Sequence, residues 1–333
     1  MTLSDHTTPF PTPTTQLTRL FPHASTELFM KLDSLQLAGS TKERTAHSLL
    51  TGMLSRGELA PGGHVVESTS GNLGIALARQ CALLGLRFVA VVDDRANLAA
   101  CATMTAFGAT VDLVSTPPDG NRLRARRERV AHLLSTLPGA VTTSQYANPD
   151  NPRAHREGTL PELVAALGRP PSHLYVAVST TGTLLGCQQA ITEHGWDTKL
   201  IGVDAEGSVL FGGRPGERRL PGLGAGVITE LSAHARPDEV VRVSEADMVL
   251  GCRILARREG LLAGASTGAI VAAVGRHLPR YGARERVALL MHDGGTPYLP
   301  TVYNDAWVET SFPEARLDRS TLEEPNPFER AVA

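Results

Sequence analysis

Three stretches of similar length, His64–Leu84, Arg87–Phe107 and Thr110–Leu137, each read as a β-branched or aliphatic run followed by a helical one. A glycine closes each of them, at Gly85, Gly108 and Gly139. Strands that alternate with helices in this way pair in parallel, because only a crossover helix returns the chain to the same end of the sheet. The pattern restarts later: strand His173–Val178, helix Leu184–His194, strand Lys199–Val203, a strand near Val240, helices Glu245–Arg258 and Thr267–His277, and strand Arg286–Met291. Ahead of both halves, Gln16–Leu20 and Glu27–Asp33 read as strands around Pro22, with Leu28, Met30 and Leu32 on one face and Lys31 on the opposite, solvated face. The expected class is α/β, with mostly parallel sheets flanked by helices. At 333 residues, two domains are expected. The Pro- and Asn-rich run Gln145–Pro152 marks the change between them.

The turns between strand and helix carry the chemistry. In V-V-E-S-T-S-G-N-L-G-I-A-L-A-R (Val65–Arg79) the strand passes through Ser68, Thr69, Ser70, Gly71 and Asn72 into a helix. First-turn N–H groups have no partner inside their helix, so such a turn is either an anion site or a well-capped turn. Ser179-Thr180-Thr181-Gly182-Thr183 repeats the arrangement, and Gly264–Ala269 opens a third helix with small residues. The G-x-G-x-x-G spacing of a dinucleotide site is absent.

Only three lysines occur, Lys31, Lys42 and Lys199, so amine chemistry has three candidates. Lys199 reads as a strand-edge lysine. Lys42 follows Gly39-Ser40-Thr41 at the start of a helix that runs to about Ser55. There a cation opposes the helix dipole, which suits either a solvated lysine or a nucleophilic amine of lowered pKa. Two hydroxyl-rich turns and a lysine at a helix start together suggest a phosphorylated cofactor held covalently, and pyridoxal phosphate fits best.

Five stretches, G-S-T-K-E-R (Gly39–Arg44), S-T-S-G-N-L-G (Ser68–Gly74), Q-Y-A-N-P-D-N (Gln145–Asn151), S-T-T-G-T-L-L-G (Ser179–Gly186) and G-A-S-T-G-A (Gly264–Ala269), occur in the order found in the cysteine synthase/cystathionine β-synthase family of fold type II pyridoxal-phosphate enzymes. The chain resembles that family over nearly its whole length. The resemblance implies a two-domain fold like that of the tryptophan synthase β-subunit. Residues 15–36 and 149–315 would form the larger, cofactor-anchoring domain and 37–148 a smaller, mobile substrate domain, with tails at 1–14 and 316–333. It implies that Lys42 bonds the cofactor, that Asn72 meets the ring hydroxyl, that Ser179, Thr180, Thr181, Gly182 and Thr183 cradle the phosphate, and that Ser266 faces the ring nitrogen. Ser68, Thr69, Ser70, Gln145 and Tyr146 would hold the substrate. Departures are Gln36-Leu37-Ala38 ahead of the lysine motif, Ser179 and Thr181 in place of glycines, and Leu73 where sulfide-using members have Thr.

V-D-A-E-G-S-V-L-F-G (Val203–Gly212) and R-R-L-P-G-L-G-A (Arg218–Ala225) look like the branch that feeds 2,3-diaminopropionate to siderophore or antibiotic assembly. Its members are similar in adding the amino group of L-glutamate to the β-carbon of O-phospho-L-serine, giving N-(2-amino-2-carboxyethyl)-L-glutamate. A cysteine synthase, and a non-catalytic protein that binds the cofactor for regulation, are the alternatives. Such substrates bring a phosphate and several carboxylates, which guanidinium forks suit. Arg122, Arg124, Arg126, Arg127 and Arg129 crowd one helix, with Leu123, Val130 and Leu134 left to pack, and the likeness to that branch, where Arg126 aligns with an arginine, implies Arg126 as the substrate contact.

Net charge of −2 gives no reason to expect nucleic acid or an anionic membrane as a partner. Cys81, Cys101, Cys187 and Cys252 are far apart, so neither disulfides nor a structural metal is expected. The Thr- and Pro-rich start has no apolar core and reads as neither signal nor anchor. A cytoplasmic homodimer that acts on small amino acids is the expectation.

Overall fold

A computed structural model describes residues 6–117, 120–313 and 319–329. The chain divides into two compact units. One takes in Gln36–Ala154 with the residues up to Phe10, and the other Pro11–Leu35 with His155 onward.

The first unit holds a parallel sheet of β3 (His64–Ser68), β4 (Arg87–Asp93) and β5 (Thr110–Val114), in that order. Helices cover both faces, which is why its strands read as continuous apolar runs. Val65, Phe88, Ala90 and Val92 pack with residues of α1 (Lys42–Ser55), α2 (Asn72–Leu83) and α3 (Leu98–Ala106). The alternate residues Val66 and Val91 pack on the other face under α4 (Arg122–Thr136). The helix stripe differs from its expected composition. Leu133 is the buried anchor, with Val130, Leu134 and Leu137 beside it, while Leu123 is exposed. Asn121 caps α4 at Arg124 N, so Leu123 lies in the first turn; it keeps the seven-residue spacing to Val130 but sits at the open end of the helix. Residues 6–10, which the sequence reads as part of a tail, are hydrogen-bonded here: the Arg79 guanidinium donates to His6 O, Gln80 to Thr7 O and Gln36 to Phe10 O.

The second unit is built on a six-stranded sheet. Its strands are β1 (Thr14–Gln16), β2 (Glu27–Lys31), β6 (His173–Ala177), β7 (Lys199–Ala205), β8 (Glu239–Val243) and β9 (Arg286–Leu290), in the order β1-β2-β9-β6-β7-β8. Only the β1–β2 pair is antiparallel. The first strand is shorter and earlier than the expected Gln16–Leu20, and Leu17 and Leu20 enter the core from the turn instead. Tyr175, Ile201, Val203, Val287 and Leu289 pack with α8 (Glu245–Glu259) and α9 (Ala265–His277). Leu174, Val176, Leu200, Ala288 and Leu290 pack with α6 (Leu160–Leu167) and α7 (Gly182–His194) on the other face.

Lys31 overturns its expected solvated setting. Its side chain is 0 % exposed, and Nζ donates to Glu162 Oε2 on α6 at 2.7 Å and to Thr12 O at 3.2 Å. Asp33 Oδ1 stands 3.8 Å from the same nitrogen. A strand covered on both faces has no solvated side, so alternation assigned the right face and the wrong environment. No helix among the described residues is long and apolar enough to cross a membrane.

Candidate active site

In the first unit the candidate residues lie at the start of α1, in the turn from β3 into α2, in the loop at Gln145–Tyr146 and on α4. Lys42 is the first residue of α1 and is half-buried. The polar side chains around it, Ser40, Thr41, Glu43, Arg44 and Thr45, are all buried. A buried polar turn must be satisfied internally. Glu43 Oε1 accepts from Arg79 and Gln80 of α2, which ties the lysine-bearing turn to the helix after Ser68–Gly71. The Thr45 hydroxyl donates to Asn151 Oδ1 at 3.5 Å, and Asn151 Nδ2 donates to Gln145 O at 2.7 Å. Asn151 thus fixes the distance from α1 to the Gln145 segment. It stands inside the Q-Y-A-N-P-D-N motif, where its amide was the available signal.

Thr69 is buried, and Ser68, Ser70 and Asn72 are half-buried. Asn72 opens α2, whose N-cap Gly71 offers no side chain to the first-turn N–H groups. Gly74 is required by contact: a Cβ there would lie 2.5 Å from Met104 Sδ and 3.1 Å from Thr69 Cγ2. Glu67, just before the turn, is buried and accepts from the hydroxyls of Thr142 and Thr143, so β3 is also tied to the segment that leads to Gln145. Burial pushes the Glu67 carboxyl above the usual carboxylate range. Gln145 is buried and Tyr146 exposed. Arg126 Nε lies 3.3 Å from Asp93 Oδ2 at the end of β4, and Arg122 Nε lies 3.9 Å from the same oxygen. Arg129 makes a forked pair with Asp112. Arg122, Arg126 and Arg129 are therefore set against carboxylates of their own sheet, while Arg124 pairs with Glu128 one turn along α4, a division that helical spacing did not reveal.

In the second unit, Ser179–Thr181 leads from β6 into α7. Thr181 has φ 66° and ψ 0°, a left-handed conformation that glycine adopts without cost. A β-branched residue there costs about 1–2 kcal/mol. The hydroxyls offset it: Thr181 Oγ1 donates to Thr180 O at 2.6 Å and meets Thr229 Oγ1 at 3.4 Å, and Thr180 Oγ1 accepts from Gly182 N at 3.3 Å. Ser179 Oγ donates to Gly224 O at 3.1 Å. Thr183 Oγ1 lies 3.2 Å from His155 Nε2, and His155 Nδ1 lies 2.8 Å from Thr159 Oγ1. His155 and Thr229 escaped the sequence reading because each is far from the turn along the chain. Thr181→Val keeps the strained shape and deletes the hydroxyl, so it should cost about 1–3 kcal/mol of stability. Urea unfolding of the two proteins checks this, and equal midpoints would mean the hydroxyl offsets nothing.

Ser266 sits in the first turn of α9 and is buried, as are Ala265 and Thr267. What the two units offer is a half-buried amine, a turn of hydroxyl and amide groups suited to a carboxylate, a turn of hydroxyls on a helix N-terminus suited to a phosphate, and a buried serine at a second helix N-terminus.

Comparison with known proteins gives this inventory its context. The model of the family described as pyridoxal-phosphate dependent enzyme matches residues 7–293. A protein of Ralstonia nicotianae named N-(2-amino-2-carboxyethyl)-L-glutamate synthase is 42% identical over 298 residues, covering 89% of this chain and 88% of its own. One of the same name from Cupriavidus metallidurans is 41% identical over 301 residues, with the same coverage of 89% and 88%. Among solved structures, an O-acetylserine dependent cystathionine β-synthase from Helicobacter pylori matches with a TM-score of 0.83 at 26% identity, over 91% of this chain and 100% of that one.

Proposed function

Since the chain belongs to the pyridoxal-phosphate dependent enzyme family, we propose that it joins O-phospho-L-serine to L-glutamate, forming N-(2-amino-2-carboxyethyl)-L-glutamate and inorganic phosphate. The observation that carries this reading is the 41–42% identity to two synthases named for that product, sustained over 89% of the chain.

The residues present fit the cofactor. The buried Ser40 Oγ, two residues before Lys42, has no hydrogen-bond partner among the described residues. The donor set at Ser179–Thr183, hydroxyls on a helix N-terminus, is the chemistry a phosphate dianion requires. In this reading Lys42 holds the cofactor through Nζ, Asn72 and Ser266 address its ring, and Ser179, Thr180, Thr181, Gly182 and Thr183 its phosphate. When bound, pyridoxal phosphate supplies the electron sink that lets the α-C–H bond of an amino acid break. Lys42 then carries that proton as a base, and its place at the positive end of α1 favours the neutral amine the role needs. Ser68, Thr69, Ser70 and Gln145 bind and orient the substrate carboxylate, with Tyr146 beside them. Arg126 adds charge recognition for an anionic substrate. The same reading has the enzyme work as a cytoplasmic homodimer on small amino acids, upstream of 2,3-diaminopropionate.

Mass spectrometry of the reaction of O-phospho-L-serine with L-glutamate or sulfide tests the reading. The carboxyethyl-glutamate product with release of phosphate is expected. Cysteine from sulfide, with no glutamate adduct, would make the protein a cysteine synthase. No product from either nucleophile would leave a cofactor-binding protein without this activity.

A further inference from the structure

We propose that Glu67 is a positioning residue: through the Thr143 hydroxyl, its carboxyl holds the turn at Ser68–Ser70 and the turn at Gln145 at one separation, so that both grip the carboxylate of the same amino acid. The inference rests on the reading that these residues hold the substrate carboxylate.

β3 has a second neighbour besides β4. Val65 and Val141 form an isolated parallel bridge, in which Val66 N donates to Val141 O at 2.8 Å and Val141 N donates to His64 O at 2.9 Å. Two residues further along each segment, Glu67 Oε2 accepts from the Thr143 hydroxyl, and the Thr142 hydroxyl donates to the same oxygen at 3.1 Å. The Glu67–Thr143 link keeps the bridge's offset of 76 positions, and two residues beyond it stand Thr69 and Gln145. Parallel segments in one register bring equivalent positions to the same level. The link therefore sits where both segments leave the sheet for their turns.

Glu67 and Thr143 are both buried, so water does not compete for the bond. Ser144, between Thr143 and Gln145, has φ 51°, a left-handed conformation that a residue with a Cβ keeps only where its surroundings hold it. Ala147 N and Asn148 N each donate to Ser144 O at 2.9 Å, Asn148 Nδ2 donates to Thr143 O at 3.2 Å, and Asn151 Nδ2 holds Gln145 O. Those bonds fix the shape of the turn. The Glu67 link carries the register of the backbone bridge out to it, and so fixes its place relative to Ser68–Ser70. Donors drawn from two segments grip one carboxylate well only when their separation is set before binding; otherwise binding must order them and affinity falls. That loss is confined to ligands that carry the carboxylate.

The test uses the protein loaded with pyridoxal phosphate and reads the change in cofactor absorbance on titration with two ligands. L-alanine has no β-leaving group, and L-alaninamide also lacks the carboxylate. The ratio of their affinities isolates the carboxylate grip, and comparison between variants cancels the difference in amine basicity. Glu67→Ala should lower the ratio about tenfold, the size of one charge-assisted hydrogen bond. Thr143→Val should lower it in the same direction, while Thr143→Ser, which keeps the hydroxyl, should leave it at the wild-type value. On a Gln145→Ala background, Glu67→Ala should lower it less than it does alone. Affinities for both ligands that fall together in Glu67→Ala and Thr143→Val, with the ratio unchanged, would reduce the link to general packing and overturn the proposal. Should Glu67→Ala fail to fold, Thr143→Val against Thr143→Ser decides by the same criterion. A ratio that Gln145→Ala and Thr69→Ala both leave unchanged would instead fault the reading that these turns hold a carboxylate, and the proposal would fall with it.

Discussion

Lys42→Ala should cut product formation by about a thousandfold or more, since a proton-transferring group of this kind contributes roughly two to four orders of magnitude and the cofactor bond is lost with it. The fold should survive. Lys42 is the first residue of α1, alanine is the best helix former, and removing a cation from a helix N-terminus relieves an unfavourable charge. Neither remaining lysine can substitute. Lys31 is enclosed with Glu162, and Lys199 is exposed at the first position of β7. Borohydride reduction of the loaded protein followed by peptide mapping should put the cofactor mass on Lys42 alone. The variant should show no such adduct, with an unchanged circular dichroism spectrum. Undiminished turnover, or label on Lys31 or Lys199, would end the assignment of Lys42.

Glu162→Ala should destabilise the protein by about 3 kcal/mol, the lower end for breaking a buried pair. Lys31 is fully buried, so loss of its partner leaves an ammonium whose remaining carboxylate among the described residues is Asp33 at 3.8 Å. Glu162 itself is 18% exposed, and Asp33 remains, which is why the lower end applies. For a unit of this size the melting temperature should fall by roughly 6–12 °C. Replacing both partners, Lys31→Met with Glu162→Gln, should recover part of the loss, because the buried ammonium is gone and Asp33, though it loses its cation, keeps the hydrogen bond from the Thr12 hydroxyl. Thermal unfolding of the three proteins decides it. A melting temperature for Glu162→Ala within a degree of the wild type would show that the pair contributes no net stability.

Local features of the chain determined much of the molecule. The alternation of apolar strands and helices, punctuated by Gly85 and Gly108, dictated parallel sheets, because the crossover requirement leaves few other arrangements. Small polar residues between strand and helix marked the turns at Ser68–Asn72 and Ser179–Thr183, since helix N-termini expose unpaired N–H groups wherever they occur. The scarcity of lysine isolated Lys42. Only the tertiary structure decided which polar groups meet. Lys31 found Glu162 across 131 positions, Thr183 met His155, Thr45 reached Gln145 through Asn151, and Ser266 was given to Asp293. Periodicity reports the face of an element but not what covers that face, and in sheets packed on both sides every face is covered. The partners of buried polar groups come from segments remote in sequence, and no local pattern encodes their distance.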